Sequence, residues 1–264
     1  MSEQEARLEY MLDTLLAELP GQERPEKPTR AEQRRQRARA FVNVRPPGAV
    51  NAAFLEAQDA FLQEELRQKG IVYPDEIAPR PAVPRLYRLS LWQGDITRLA
   101  VDGIVNAANA QLLGCFAPNH HCIDNAIHTA AGVQLRQACQ AIMARQGHAE
   151  PVGQAKVTEG YNLPARYVIH TVGPQVAGRP TAGQEQELAS CYRACLDAAA
   201  AQGMRTLAFC CISTGVFGFP QARAAEIAVA AVCERLKDLP QIERVIFNVF
   251  TDQDRDIYEK VLAG

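Results

Sequence analysis

The sequence predicts an α/β protein with a mixed, largely parallel sheet, helices on both of its faces and a helical extension in front. Two observations carry this expectation. From Arg85 onward, short apolar runs rich in β-formers alternate with stretches of helical periodicity, as in sheets whose strands are joined by helices. Before residue 84 there are only helical periodicities and a proline-rich stretch. The length of 264 residues suits one large domain with an extension rather than two full domains.

In the extension, Leu8, Met11, Leu12, Leu15, Leu16 and Leu19 recur at helical spacing and stop at Pro20-Gly21, so a first amphipathic helix is expected. Residues 30–39 carry five arginines and one glutamate. They are read as a solvated helix face, with a nucleic-acid patch as the alternative. Residues 41–47, ending in Arg45-Pro46-Pro47, should break that helix, and 52–68 form a third one closed by Lys69-Gly70. Four prolines between Tyr73 and Pro84 mark a linker. Residues 1–84 are too few to bury a large core alone, which places the domain proper at 85–264. There, strands are expected at 86–92, 103–106, 167–172, 206–212 and 244–250, with helices at 126–143, 184–202, 221–236 and from Gln253.

Hydrophobic residues make up 47% and charged residues 22%, which excludes a disordered chain. Lysine and arginine total 28 against 30 acidic residues, so bulk charge favours neither nucleic acid nor membrane partners, and an anionic ligand must be held locally. No apolar run approaches the roughly 18–20 residues of a membrane span. The first ten residues mix both charges instead of forming a secretory signal. Eight cysteines fall below disulfide-scaffold density, so a cytoplasmic protein with free or metal-bound thiols is expected.

In open α/β sheets, ligands sit beyond the carboxyl ends of strands. Trp92-Gln93-Gly94-Asp95-Ile96-Thr97 follows the first strand, and Val105-Asn106-Ala107-Ala108-Asn109 ends the second. The two asparagines beside small alanines suit either a ligand or a plain turn. Ile212-Ser213-Thr214-Gly215-Val216-Phe217-Gly218 leads from a strand toward a helix near Pro220, a geometry that suits a diphosphate without matching the Walker or Rossmann glycine patterns.

Cys115, His120 and Cys122 fall within eight residues, and two thiolates with one imidazole form a soft donor set for zinc with a fourth position left open. The spacing matches no structural finger, and His121 competes with His120 as ligand. His128 reads as a packed, hydrogen-bonded core histidine. Cys139, Cys191, Cys195, Cys210, Cys211 and Cys233 read as small core hydrophobes, and no second Cys/His cluster is expected.

Together, Gly94-Asp95-Ile96-Thr97, Val105-Asn106-Ala107-Ala108-Asn109, Asp124-Asn125-Ala126-Ile127-His128, His170-Thr171-Val172-Gly173-Pro174 and Ser213-Thr214-Gly215-Val216-Phe217-Gly218 resemble, in order, the motifs of the macrodomain family, the ADP-ribose-binding module. Where a typical macrodomain has a glycine-rich run before its catalytic loop, this chain has the segment from Gly114 to Cys122. That replacement resembles the zinc-dependent branch, microbial protein-ADP-ribose hydrolases often encoded beside a sirtuin-like ADP-ribosyltransferase and a lipoyl-carrier protein. The extension, with Asn43-Val44-Arg45-Pro46-Pro47, is similar to that branch too, so the resemblance covers nearly the whole chain.

The resemblance implies a three-layer α/β/α fold and a zinc-dependent hydrolase that removes ADP-ribose from Asp or Glu side chains; the alternative is a non-catalytic reader of ADP-ribose. By the same resemblance, Asp95 would accept from the adenine amino group, Ile96 would add a backbone contact and Phe250 would stack on the ring, unless it is core. Asn109 would fix the distal ribose. The backbone of Ile123 and Asp124, with Ser213, Thr214, Gly215, Val216 and Phe217, would hold the diphosphate, Phe217 lying near the distal ribose. Cys115, His120 and Cys122 would hold Zn2+ next to the scissile bond, acting on the ribose or on a water. Asp124 and Asn109 are the catalytic candidates, Asp124 as base or water-orienting group unless it is only a helix cap. An ADP-ribosylated protein, with a lipoyl-carrier protein as one candidate, is the implied partner.

Overall fold

The computed structural model describes residues 2–19, 28–79 and 87–263. Its strands are β1 (Leu89–Gln93), β2 (Gly103–Ala107), β3 (Ala155–Glu159), β4 (Tyr167–Thr171), β5 (Thr206–Phe209) and β6 (Arg244–Val249). They form one sheet in the order β1-β6-β5-β2-β4-β3, parallel throughout except where β3 runs against β4. The inner strands are apolar almost without interruption, as a sheet covered on both faces requires. Five strands therefore end at the same edge. The antiparallel β3 was not expected from sequence: Ala155-Lys156-Val157-Thr158-Glu159 lies at the sheet edge, mostly half-buried, and carries no continuous apolar run.

The helices of this part are α4 (Ile123–Ala131), α5 (Val133–Gln146), α6 (Ala182–Ala201), α7 (Gln221–Arg235) and α8 (Asp252–Ala263). They flank the sheet in a three-layer α/β/α arrangement, with α7 packing against both α6 and α8. The core between them and the sheet is anchored by a chain of rings, Tyr192, Phe209, Phe247 and Tyr258, with successive centroids 4.9, 6.4 and 5.1 Å apart. Each fully buried ring contributes about 1.5–3 kcal/mol.

The single helix expected at 126–143 is two. Gly132, at φ 92° and ψ 174°, separates α4 from α5. A side chain there would lie 2.6 Å from the amide of Gln58, whose oxygen accepts from Val133 N at 3.0 Å. The break is thus occupied by a residue of the N-terminal extension.

That extension contains α1 (Glu3–Ala17), α2 (Ala31–Val44) and α3 (Ala52–Lys69). Ser2 and Glu5 close a capping box at the start of α1. Leu8, Met11, Leu12, Leu15 and Leu16 bury the stripe that their spacing predicts, against Ala38, Phe54, Phe61 and Val133 of α5. The stop at Pro20-Gly21 lies outside the described residues. α2 runs past the break expected at 41 and ends at Val44, just before Pro46.

The stretch read as a linker is not free over 73–79. Pro74–Glu76 forms a short 3-10 turn, Ile77 is 4% exposed, Pro79 bridges to Ser90, and Arg244 donates to the carbonyls of Pro74 and Ile77. The boundary expected at 84 falls in 80–86, outside the described residues. No helix among the described residues is long and apolar enough to cross a membrane.

Candidate active site

The carboxyl edge of the parallel strands collects most of the sequence-predicted residues. Asp95 follows β1 and opens a 3-10 turn, Ile96–Arg98, by accepting from Thr97 N and Thr97 Oγ1 at 3.0 and 2.6 Å through one carboxylate oxygen. Its other oxygen faces Lys69 Nζ at 4.0 Å. Ile96 is buried. Phe250 follows β6, the neighbour of β1, and at 75% exposure it is no core residue.

Beyond β5, Ser213 takes a left-handed φ of 65° and Phe219 N closes the loop onto Ser213 O at 2.9 Å. Thr214 Oγ1 donates to Cys211 O. Val216 is 81% exposed, while Phe217 packs on Ala108, Leu112, Cys139 and Val172, leaning this loop on the segment after β2. A Cβ built on Gly215 meets no atom within 4 Å. In that segment, Asn109 donates to Gly114 O at 3.0 Å and accepts from Gln111 N at 2.9 Å, so its amide shapes the turn and keeps one N–H to spare.

Next comes the loop to α4. Gly114, at φ 81°, lies flat on the His128 ring, which any side chain there would strike at about 3 Å. Cys115, His120 and Cys122 then converge, all three ligand atoms lying within 4.8 Å of one another and partly exposed. Cys115 Sγ is 3.6 Å from His120 Nδ1. A tetrahedral zinc with ordinary Zn–S and Zn–N bonds holds such a pair about 3.5 Å apart, so this pair suits that ion, with Cys122 within reach as a third donor. Burial, reinforced by the neighbouring Cys115, pushes the Cys122 thiol up to about 11, against the pull of the Asn125 N–H. Cys122 would thus be held as a thiolate only with a cation beside it. His121 is exposed and outside the cluster.

Cys122 is the N-cap of α4, its sulfur accepting from Asn125 N at 3.4 Å. Asp124 therefore does not cap the helix. Its carboxylate, 5% exposed, turns inward and accepts from Asn106 Nδ2 at 2.8 Å. Burial raises it to about 6, opposed by the Asn106 amide and by Arg136. The same Asn106 nitrogen lies 3.2 Å from His170 Nδ1, and His170 Nε2 pairs with Thr158 Oγ1 at 2.9 Å. Burial lowers His170 to about 4.

His128 is buried as expected but not hydrogen-bonded. Its Nε2 is 3.5 Å from Asp124 Oδ1 without the geometry of a hydrogen bond, and neither ring nitrogen has a partner among the described residues. With Cys139 and His170 it forms a second Cys/His cluster that the sequence did not suggest. Both nitrogens of His170 already have partners, which leaves that cluster no complete donor set.

Comparison with known proteins decides the family. Residues 105–228 match the Macro domain family. A protein-ADP-ribose hydrolase of Treponema medium is 44% identical over 263 residues, covering 100% of both chains. One of Staphylococcus aureus (strain MRSA252) is 46% identical over 256 residues, covering 97% of this chain and 94% of its own. This chain belongs to the macrodomain family. A Trypanosoma brucei macrodomain solved in complex with ADP-ribose superposes with a TM-score of 0.66 at 31% identity, covering 81% of this chain and 91% of the other.

In this macrodomain, sequence reasoning missed the residues that hold the site from behind. Asn106 and His170 stood inside quoted motifs, but only the fold joins them to Asp124. The arginine run is largely a solvated face, with Arg30 and Arg35 exposed and Arg34 and Arg35 paired at the surface with Glu9 and Glu65, but Arg39 turns inward to the loop of Cys115 and His120. Its one sequence signal was arginine at spacing four on a helix that also carries Asn43.

Proposed function

We propose that this macrodomain is a zinc-dependent protein-ADP-ribose hydrolase that frees acidic side chains of ADP-ribose. The single observation that supports it is the convergence of Cys115, His120 and Cys122 at the start of α4, with a donor spacing that suits zinc. A protein that only reads ADP-ribose needs no such donor set. The related protein-ADP-ribose hydrolases of Treponema medium and Staphylococcus aureus, similar over nearly the full chain, favour hydrolysis over reading alone.

ADP-ribose would lie along the carboxyl edge. Asp95 would accept from the adenine amino group with the oxygen that Thr97 leaves free, and exposed Phe250 would cover the ring. The N–H groups of Ile123 and Asp124 belong to the first turn of α4, which leaves them without an intrahelical acceptor and suits a diphosphate. Ser213, Thr214, Gly215, Val216 and Phe217 would close over it, and the spare N–H of Asn109 would meet the distal ribose. Bound zinc supplies Lewis acidity toward an oxygen of the scissile ester, or a water of near-neutral pKa. Asp124, buried against Asn106, suits the orienting role better than that of an exposed base.

Water enters, and ADP-ribose and the free carboxylate leave. All eight cysteines are free, which suits a reducing, cytoplasmic setting. The test is a protein carrying ADP-ribose on aspartate or glutamate. Release of free ADP-ribose supports hydrolysis, whereas binding without release makes the chain a reader.

A further inference from the structure

We infer that Arg39 and Asn43 of the N-terminal extension are positioning residues that hold His120 in the metal site. The inference rests on the zinc reading above and gives the extension a part in it. Residues 115–121 contain no helix or strand, and among the described residues their internal backbone bonding is one contact, His120 N to Ala117 O at 3.2 Å. The loop's shape therefore depends on anchors outside it.

Those anchors divide by ligand. The Cys115 end is held by Asn125, whose side-chain nitrogen donates to Cys115 O and Ala117 O at 3.5 and 3.2 Å, and by Arg136, which sits 4.4 Å above the Phe116 ring. Cys122 is held as the N-cap of α4. The His120 end is held from α2. Asn43 Oδ1 accepts from Asn119 N at 2.9 Å, and Arg39 donates to His120 O at 3.1 Å and to Asn125 Oδ1 at 2.9 Å. Asn43 also donates to Thr129 Oγ1 at 3.0 Å, which registers α2 against α4. Asn119 has a left-handed φ of 55°, a conformation that asparagine adopts more readily than most side-chain-bearing residues.

The contacts are local to this end of α2. Away from the loop, the space between α2, α3 and α4 opens into a groove of about 370 Å³ lined by Arg39, Phe61, Leu62 and Lys69 and reaching Asp95. Ala38, Phe41 and Val42 pack α2 into the apolar cluster of the extension, and the polar contacts of Arg39 and Asn43 tie it to the loop and to α4. Asn43 is itself buried, with both amide atoms engaged. Removing Asn43 frees the backbone N–H of Asn119 beside His120, and removing Arg39 frees the carbonyl of His120 and takes a donor from Asn125, while Cys122 stays the N-cap of α4 and Cys115 keeps its contact from the Asn125 side-chain nitrogen.

The experiment is zinc affinity of the full chain by competition with a chromophoric chelator, with ADP-ribose affinity by calorimetry as the control for folding. Arg39→Ala and Asn43→Ala should each weaken zinc about 10–100-fold, the range for outer-shell partners of a metal site, with unchanged ADP-ribose binding. Arg39→Lys, which keeps a donor for the carbonyl of His120, should recover much of the affinity. The cobalt-substituted protein should keep its thiolate absorption in Arg39→Ala while its ligand-field bands shift.

Wild-type zinc affinity in both alanine variants overturns the inference and leaves the zinc reading standing, as does an unshifted cobalt spectrum in Arg39→Ala. A wild-type chain that binds no zinc overturns the zinc reading itself. Should Asn43→Ala fail to fold, Arg39→Ala and Arg39→Lys decide the matter.

Discussion

Cys115 Sγ lies 3.6 Å from His120 Nδ1, the separation that two ligands of one tetrahedral zinc keep. The third donor, Cys122, joins them only because it ends the loop as the cap of α4. Cys122 thus has two roles, which its variants should separate. Cys122→Ser keeps an acceptor for Asn125 N and should lose zinc at little cost in stability. Cys122→Ala should lose zinc and about 1 kcal/mol more, the usual cost of a lost cap. His120→Ala should also lose zinc, whereas His121→Ala, at an exposed position outside the cluster, should keep it. Metal analysis and thermal unfolding of the four variants check this.

Gly215→Val should abolish ADP-ribose binding and leave the fold intact. A Cβ at Gly215 meets no protein atom within 4 Å, so stability should change by less than about 0.5 kcal/mol. Only a ligand approaching that backbone would feel the side chain, at a cost of at least about tenfold in affinity. Circular dichroism with calorimetry gives both readings. Normal binding by the folded variant would remove this loop from the diphosphate site.

Asp95→Asn should weaken ADP-ribose by about 1.5–3 kcal/mol, the range for a hydrogen bond to a charged group. The substitution keeps the oxygen that accepts from Thr97, so the turn at Ile96–Arg98 should persist. Phe250→Ala, at an exposed position, should likewise reduce affinity without lowering the melting temperature. Unchanged calorimetric affinity in either variant would take that residue out of the adenine site.

Gly132→Ala should destabilise the junction between the extension and α5 by about 1 kcal/mol or more. The position has φ 92°, and the new Cβ would lie 2.6 Å from the Gln58 and Gln134 amides. Chemical denaturation measures the loss, and an unchanged midpoint would contradict the packing described here.

The parts legible in the sequence were those governed by local pattern. The inner strands announced themselves by unbroken apolar runs, α1 by the spacing of its leucines, and the donor trio by proximity in the chain. What escaped depends on contacts between distant residues. β3 is a strand because β4 pairs with it, not because of its own residues. The break at Gly132 is filled by Gln58, which bonds a residue 75 positions away. Asn106, Asp124 and His170 look unrelated until adjacent strands and the start of α4 bring them together. The face that Arg39 presents could be assigned only once α2 had been placed against α4.

The most direct test of the zinc-dependent reading is hydrolysis of a protein modified on aspartate or glutamate, measured on zinc-loaded, metal-stripped and zinc-reconstituted full chain, with ADP-ribose affinity followed in parallel. Release of ADP-ribose should be lost on stripping and restored by zinc, while the stripped protein still binds ADP-ribose. Full release by a demonstrably zinc-free protein would contradict the account and leave the chemistry to Asp124 and Asn109.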